Sequence, residues 1–222
     1  MVENSGLTQG QSRPYRPEVY QPALLDTWLN IADRQAAKDR VIIPDLARHF
    51  VPGRVLELGS GVGQLTEMLI KLGWQVVASD YADFFIDHMR GRGLDAHKVD
   101  ATDIDASGLG RFENIFCQSI TPFITHDFAV VRKAYESTYK TLAPGGRLVL
   151  IHGMEPRKDV PQAMRDHQRI CAAAGFTEIQ VFRNQMLPSK MYESPLTGIA
   201  SLIERTFGKT LGQRFVLVAA RA

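Results

Sequence analysis

The 222 residues contain only two cysteines, Cys117 and Cys171, and no CxxC or Cys/His spacing joins them. That excludes a disulfide-stapled scaffold and a structural zinc site and points to a reducing compartment; no metal is expected. Long apolar runs are missing too, since nothing approaches the roughly 18 residues that a membrane-spanning helix requires. The opening stretch, MVENSGLTQGQSRPYRPEVY, lacks the apolar core of a signal peptide. A cytoplasmic location is the expectation. Charge of one sign is scarce as well: the balance is +2, with 26 Lys and Arg against 24 Asp and Glu. Composition therefore argues for neither a nucleic-acid partner nor an acidic membrane, and no aromatic-basic stripe supports RNA binding.

What is present is an ordinary globular composition, 45% hydrophobic and 23% charged, on a chain long enough to bury a core without staples. Residues 1–50 read as a polar arm followed by a helical cap, and residues 51–222 as one domain. In the cap, Leu24, Leu25, Trp28, Leu29 and Ile31 predict an amphipathic helix from Pro22 to Arg34. A second, short helix is expected from Pro44 to Phe50.

The core then alternates. RVLEL (54–58) is a strand, Gly59–Gly63 a glycine-rich turn, and the Leu65, Met68, Leu69, Leu72 spacing a helix stopped by Gly73. WQVVAS (74–79), Asp95–Val99, ENIFCQ (113–118) and RLVLI (147–151) are the next strands. Helices over 82–90, 127–142 (its inner face Phe128, Val131, Tyr135, Thr138, Leu142) and from Pro161 to Gly175 are expected between and after them. Strands at 178–182 and 214–220 close the chain, separated by about thirty residues that include a helix at 196–207; they suit antiparallel pairing. The expected fold class is α/β: a seven-stranded, mostly parallel Rossmann-like sheet with helices on both faces, an antiparallel last strand and an N-terminal helical cap.

The strongest functional signal is Val55-Leu56-Glu57-Leu58-Gly59-Ser60-Gly61-Val62-Gly63. A buried strand ends in glycines, which turn the backbone sharply and let it approach a ligand without a Cβ in the way. The unpaired N–H groups of the next helix point at the same turn. A dinucleotide fingerprint wants its third glycine at position 64, which here is Gln64. Carboxylates follow at the ends of the second and third strands, Asp80 and Asp100, and a carboxylate's two oxygens match a vicinal diol.

With its E-x-G-x-G-x-G pattern and its LAPGGRLVL (142–150) entry to the fifth strand, the chain resembles the class I S-adenosylmethionine-dependent methyltransferases from about residue 50 to its end. The resemblance implies that Gly59, Ser60 and Gly61, in the loop that Gly63 completes, contact the methionine part of S-adenosyl-L-methionine, with Glu57 in the polar shell beneath. It implies Asp80 on the ribose hydroxyls and Tyr81 on the adenine face. Asp100, with Asp103 as the alternative, and Ala101 then meet the adenine edge, and Gln118 and Ser119 lie beside the methyl group. The product would be S-adenosyl-L-homocysteine.

Methyl transfer from a sulfonium is an in-line displacement, so the protein contributes mainly proximity and alignment. A general base is needed only where the acceptor loses a proton; His126, after the fourth strand, and His152, after the fifth and on the rim, are the candidates. QSITPF (118–123) lacks the Pro-Pro-aromatic motif of nucleic-acid amino-methyltransferases. Cys117 has no adjacent proline and reads as a small buried hydrophobe. A small-molecule acceptor, methylated on O or N, is the remaining expectation, in a pocket formed by Tyr15, Tyr20 and Trp28 of the cap and Met186, Met191 and Tyr192 of the insertion. A non-catalytic cofactor-binding subunit and a dinucleotide-dependent oxidoreductase are the competing readings.

Overall fold

The computed structural model describes residues 25–153, 159–185, 187, 189–192 and 197–222. The expected N-terminal arm, Tyr15, Tyr20 and Met186 lie outside them. The first element is a 22-residue helix, α1 (Leu25–Leu46), followed by a short 3-10 turn at Ala47–His49. Two helices were expected here; one forms, and Pro44 lies inside its last turn. The proline removes one intrahelical donor, but Ile42, Ile43 and Leu46 flank it and are buried against the sheet with Val55, Phe116, Val149 and Val218. That burial keeps the helix continuous.

Seven strands follow: β1 (Arg54–Leu58), β2 (Gln75–Asp80), β3 (Ala96–Lys98), β4 (Phe112–Gln118), β5 (Leu142–His152), β6 (Thr177–Asn184) and β7 (Arg214–Ala220). They form one sheet in the order β3-β2-β1-β4-β5-β7-β6. β1 lies parallel to β2 and β4, β2 to β3, and β4 to β5, while β7 runs antiparallel to both β5 and β6. The expected fold class is the observed one. The order reverses direction at β1, between β2 and β4, which opens a crevice at the carboxyl ends of the strands.

The helices α2 (Gln64–Lys71), α3 (Asp83–Gly91), α4 (Thr121–Ile124), α5 (Phe128–Thr141), α6 (Val160–Ala173) and α7 (Thr197–Leu211) fill the connections. Both faces of the sheet are covered, which is why RVLEL is apolar at successive positions. Leu56 and Leu58 face the layer built on Val131, Tyr135 and Cys171, whereas Val55 faces Ile43 and Leu69. Asp127 caps α5, accepting from the N–H groups of Ala129 (3.0 Å) and Val130 (3.4 Å). Of the expected inner face of this helix, Val131, Tyr135 and Thr138 are buried, but Phe128 is 53% exposed. It is the first residue of the helix.

β5 starts earlier than expected and contains Pro144-Gly145-Gly146. The β4–β5 register jumps there, from Phe112↔Leu142 to Asn114↔Arg147. Gly146 is obligatory, because a Cβ would sit 2.8 Å from the Ala143 carbonyl and 2.9 Å from that of Glu113. Among the described residues no helix is long and apolar enough to cross a membrane.

Candidate cofactor and acceptor site

The turn after β1 is tied to the tip of β2 by a closed set of hydrogen bonds. The Ser60 N–H donates to the Ser79 carbonyl (2.8 Å) and the Gly63 N–H to the Ser60 carbonyl (2.9 Å). The Ser60 and Ser79 hydroxyls both donate to the Glu57 carbonyl, at 3.2 and 2.7 Å, and Ser60 Oγ accepts from the Ser79 N–H at 3.1 Å. Gly59 and Gly61 take left-handed conformations, φ 71° and 54°. Their surroundings differ. A Cβ on Gly59 would meet Ile120 Cγ2 at 2.2 Å, whereas a Cβ on Gly61 would meet nothing within 4 Å. The backbone therefore presents an open side at Gly61.

Two carboxyl groups hold this turn. Asp80, at the end of β2, accepts from the Gly61 N–H and the Ala82 N–H, each at 3.0 Å. Burial pushes its pKa up, and those N–H donors pull it back toward the ionised form. Glu57 lies under the loop, 2% exposed, and accepts from the Thr66 hydroxyl at 2.5 Å. Burial raises its carboxyl to about 7; bonds from Thr66 and Ser60 oppose the rise, and nearby Asp80 adds to it. Asp100, after β3, folds back locally: its Oδ1 accepts from both the N–H and the hydroxyl of Thr102, each at 2.8 Å. At the tip of β4, Ser119 adopts φ 53°, a conformation a serine rarely takes. Its N–H donates to the Ile151 carbonyl (2.8 Å), and its buried Oγ has no hydrogen-bond partner. Strain and an orphaned hydroxyl at one residue mark a place shaped for something other than its own packing.

Gly59, Gly61, Asp80, Tyr81, Ala101, Gln118 and Ser119 all line one cleft at the carboxyl ends of β1 to β4. Glu57, Ser60 and Gly63 lie below that surface, and Asp100 stands beside it between two lining residues, Val99 and Ala101. The cleft also takes Trp28, Phe85, Ile120, Thr121 and Pro122. Trp28, the cap aromatic, meets Phe85 edge-on at 6.2 Å and roofs one end. Phe85 and Val99 gave no sequence signal beyond apolarity. Pro122 did carry one, since a proline in the first turn marks the start of α4, which brings Ile120 over Gly59. Tyr81 is 36% exposed, with the Lys98 ammonium 5.5 Å from its ring centre.

The other expected residues lie elsewhere. His152 is not on the rim: it is 2% exposed and stacks on Phe215 at 4.5 Å, with its ring 4.7 Å from that of His167. Burial drives its pKa well below the ordinary value, because residue 152 still belongs to β5 and points into the core beneath the tip. His126 is exposed, on the link between α4 and α5 and outside the cleft lining. Tyr192 is buried against Ala37 and Ala200 and donates to Glu204 at 2.7 Å, so it packs α7 onto α1 and does not face the cleft. Met191 is exposed. Cys117 is fully buried, which raises its thiol pKa above the ordinary value and fits a packing role.

Comparison with known proteins bears on this arrangement. The sequence model of a family described as "Methyltransferase domain" matches residues 56–148. A demethylmenaquinone methyltransferase of Thermus thermophilus is 35% identical over 120 residues, 51% of this chain and 53% of that protein. A ubiquinone biosynthesis O-methyltransferase of Xanthomonas oryzae pv. oryzae is 31% identical over 103 residues, 44% of this chain and 41% of its own. The chain thus spans about half the length of the curated relatives it matches. Among solved structures, a SAM-dependent methyltransferase from Thermotoga maritima shares the fold over 90% of this chain and 98% of its own, with a TM-score of 0.62 at 15% identity. A glycopeptide N-methyltransferase crystallised with S-adenosyl-L-homocysteine shares it over 82% of this chain and 89% of its own, with a TM-score of 0.57 at 19% identity.

Proposed function

We propose that the chain, matched over residues 56–148 by a methyltransferase-domain family, is a class I, Rossmann-like methyltransferase that transfers a methyl group from S-adenosyl-L-methionine to an oxygen or nitrogen of a small organic acceptor. The observation that carries this reading is the convergence of Gly61, Asp80, Ala101 and Ser119 on one cleft from the tips of four different strands. The residues fit the cofactor. Gly61 offers open backbone, Asp80 offers two carboxylate oxygens with acceptor capacity beyond their backbone bonds, and Ser119 offers a buried hydroxyl in need of a partner.

Gly59, Ser60 and Gly61 would hold the amino-acid end, Asp80 the ribose diol, Tyr81 the adenine face, and Asp100 with Ala101 the adenine edge. When bound, the cofactor supplies an electrophilic methyl group whose neutral thioether leaving group needs no proton. The chain's own task is then to align the acceptor and exclude water, an effect worth several kcal/mol. Apolar Trp28, Phe85, Val99 and Ile120 dry the cleft. Trp28 of α1 lines the cleft, which supports assigning the cap, up to residue 50, to covering the acceptor and residues 51–222 to holding the cofactor. His152, buried and neutral, takes no proton here. His126, exposed on the α4–α5 link outside the cleft lining, is the proton acceptor by relay through water for substrates that lose one. The relatives named for quinone biosynthesis support a small organic acceptor over a nucleic acid.

Isothermal titration of the purified chain with S-adenosyl-L-methionine and S-adenosyl-L-homocysteine tests the reading. One-to-one binding of both is expected, and binding of neither refutes it.

A further inference from the structure

Beyond the cleft, the row of strand tips continues to a charged side chain that the reading above leaves unused. The Ser119 N–H bonds to the Ile151 carbonyl, so the tips of β4 and β5 are level. β5 ends at His152, paired with Phe215 of β7, which places Gly153 and Arg214 side by side at the same edge. Arg214 does not point away from the sheet. A Cβ on Gly153 would lie 2.5 Å from both Cδ and Nε of Arg214, so its side chain crosses the tip of β5 in the space a larger residue would fill. β7 is two strand spacings from β4, about 10 Å, and the side chain is laid into that interval.

Above it lies α1. Lys38 and Asp39, both nearly fully buried, form an ion pair at 3.2 Å. Lys38 also donates to Gln35 Oε1 at 3.0 Å, and Asp39 accepts from Gln64, the residue after the glycine loop, at 3.3 Å. Asp39 and Lys38 are also the charged groups of α1 that act electrostatically with Arg214. The cluster thus bridges the cap, the glycine loop and the β5–β7 edge. Burial lowers the pKa of Lys38 and raises that of Asp39, which favours a proton shared toward the neutral pair, while their attraction opposes this. Either way the charge is the same. With Lys38 and Asp39 both ionised or both neutral, the described residues of the cluster carry one net positive charge, and Asp39, ion-paired with Lys38, is also the carboxylate that supports the Arg214 charge. A partly buried guanidinium with no carboxylate in ion-pair contact among the described residues, Asp39 acting on it from farther off, is costly to keep, and its planar fork matches a carboxylate through two parallel hydrogen bonds.

We propose that Arg214, laid across Gly153 beneath the Lys38–Asp39 roof, is the anchor for the acceptor, and that the acceptor is an organic acid whose carboxylate sits on this guanidinium while its nucleophilic atom reaches the cleft at Ser119. The inference rests on the methyl-transfer reading and adds the substrate class to it. It also explains the glycine at position 153 and the burial of two charged residues, Lys38 and Asp39, on the cap helix.

The test uses the full chain, S-adenosyl-L-methionine with a tritiated methyl group, and a small-molecule metabolite extract divided on an anion-exchange column into retained and unretained fractions. Label is expected to enter the retained fraction. With the acceptor purified from it, Arg214→Gln should raise KM by about 10- to 100-fold, the range for losing hydrogen bonds to a charged group, with a much smaller change in kcat. Gly153→Ala keeps every charge but displaces the guanidinium, and it should raise KM in the same direction. Both variants should bind S-adenosyl-L-homocysteine as the wild type does by calorimetry, which shows that they are folded and that the cofactor site is intact. Label entering only the unretained fraction, or a KM indifferent to Arg214→Gln, overturns the acceptor assignment and leaves methyl transfer standing. Label entering neither fraction overturns both.

Discussion

Replacing Glu57 by glutamine should stabilise the unliganded protein, by an amount set by pH. Glu57 is buried beneath the glycine loop, with the Thr66 hydroxyl on one oxygen and Asp80 nearby, and its pKa stands at about 7 against an ordinary 4.5. Between those values the unfolded chain has released the proton and the folded chain still holds it. The protonated carboxyl therefore favours the fold below pH 4.5, and that advantage is lost as pH rises through about 7. At about 1.4 kcal/mol for each tenfold change, the ionised group costs the fold about 3 kcal/mol above pH 7. Glutamine has the same shape, still accepts from Thr66 and never ionises. Urea unfolding of both proteins from pH 5 to 8.5 reads the difference directly. The gap should be under about 1 kcal/mol at pH 5 and reach about 3 kcal/mol at pH 8, which moves the urea midpoint by about 1 M at the m-value of a chain this size. Parallel stability profiles at all pH values would refute the claim that burial, not pairing, sets this group's protonation.

Asp80→Asn places an amide N–H₂ against either the Gly61 or the Ala82 N–H. Affinity for S-adenosyl-L-methionine should fall by about 1.5–3 kcal/mol by calorimetry, and unchanged affinity would contradict the ribose assignment. Gly61→Ala adds a Cβ that meets nothing in the protein, so the cost to stability is only the left-handed backbone, about 1–2 kcal/mol by thermal unfolding, while cofactor binding is lost. His126→Asn should lower kcat with little change in cofactor affinity when the acceptor must lose a proton, and leave kcat unaltered when it need not; steady-state kinetics with acceptors of each kind separate the two. His167 is buried with its Nδ1 2.9 Å from the Tyr135 hydroxyl, and burial pushes it down to about 4. The unfolded chain takes up this proton near 6.5, so stability that is full above 6.5 falls as pH drops toward 4. Tyr135→Phe leaves the buried Nδ1 without that bond and should cost about 1–3 kcal/mol by urea unfolding at pH 7, while the fall in stability toward pH 4, which burial sets, stays in place.

The sheet was legible because its strands are apolar on both faces and its turns are punctuated by glycine. Two helices are expected in the cap because a proline suits the first turn of a helix, so Pro44 reads as the start of a second one; burial of Ile42, Ile43 and Leu46 instead carries one helix through it. Phe128 fits the helical spacing of α5 yet faces water, since periodicity does not say where a helix leaves the sheet. In the site, the residues carrying backbone or carboxylate chemistry fall on the cleft or directly beneath it. His152 shows the limit of spacing alone: a residue just past the expected strand end is rim or core depending on one further ladder pair, and Phe215 supplies that pair. Arg214 could not be read at all, because Gly153 and Asp39 meet it only through an antiparallel last strand and the cap helix.

A crystal structure of the chain grown with S-adenosyl-L-homocysteine would test the proposed binding mode most directly. Both ribose hydroxyls are expected on the Asp80 carboxylate, the homocysteine end over Gly59–Gly61 and the adenine between Tyr81 and Ala101. An adenosyl group bound anywhere other than these four strand tips would contradict it.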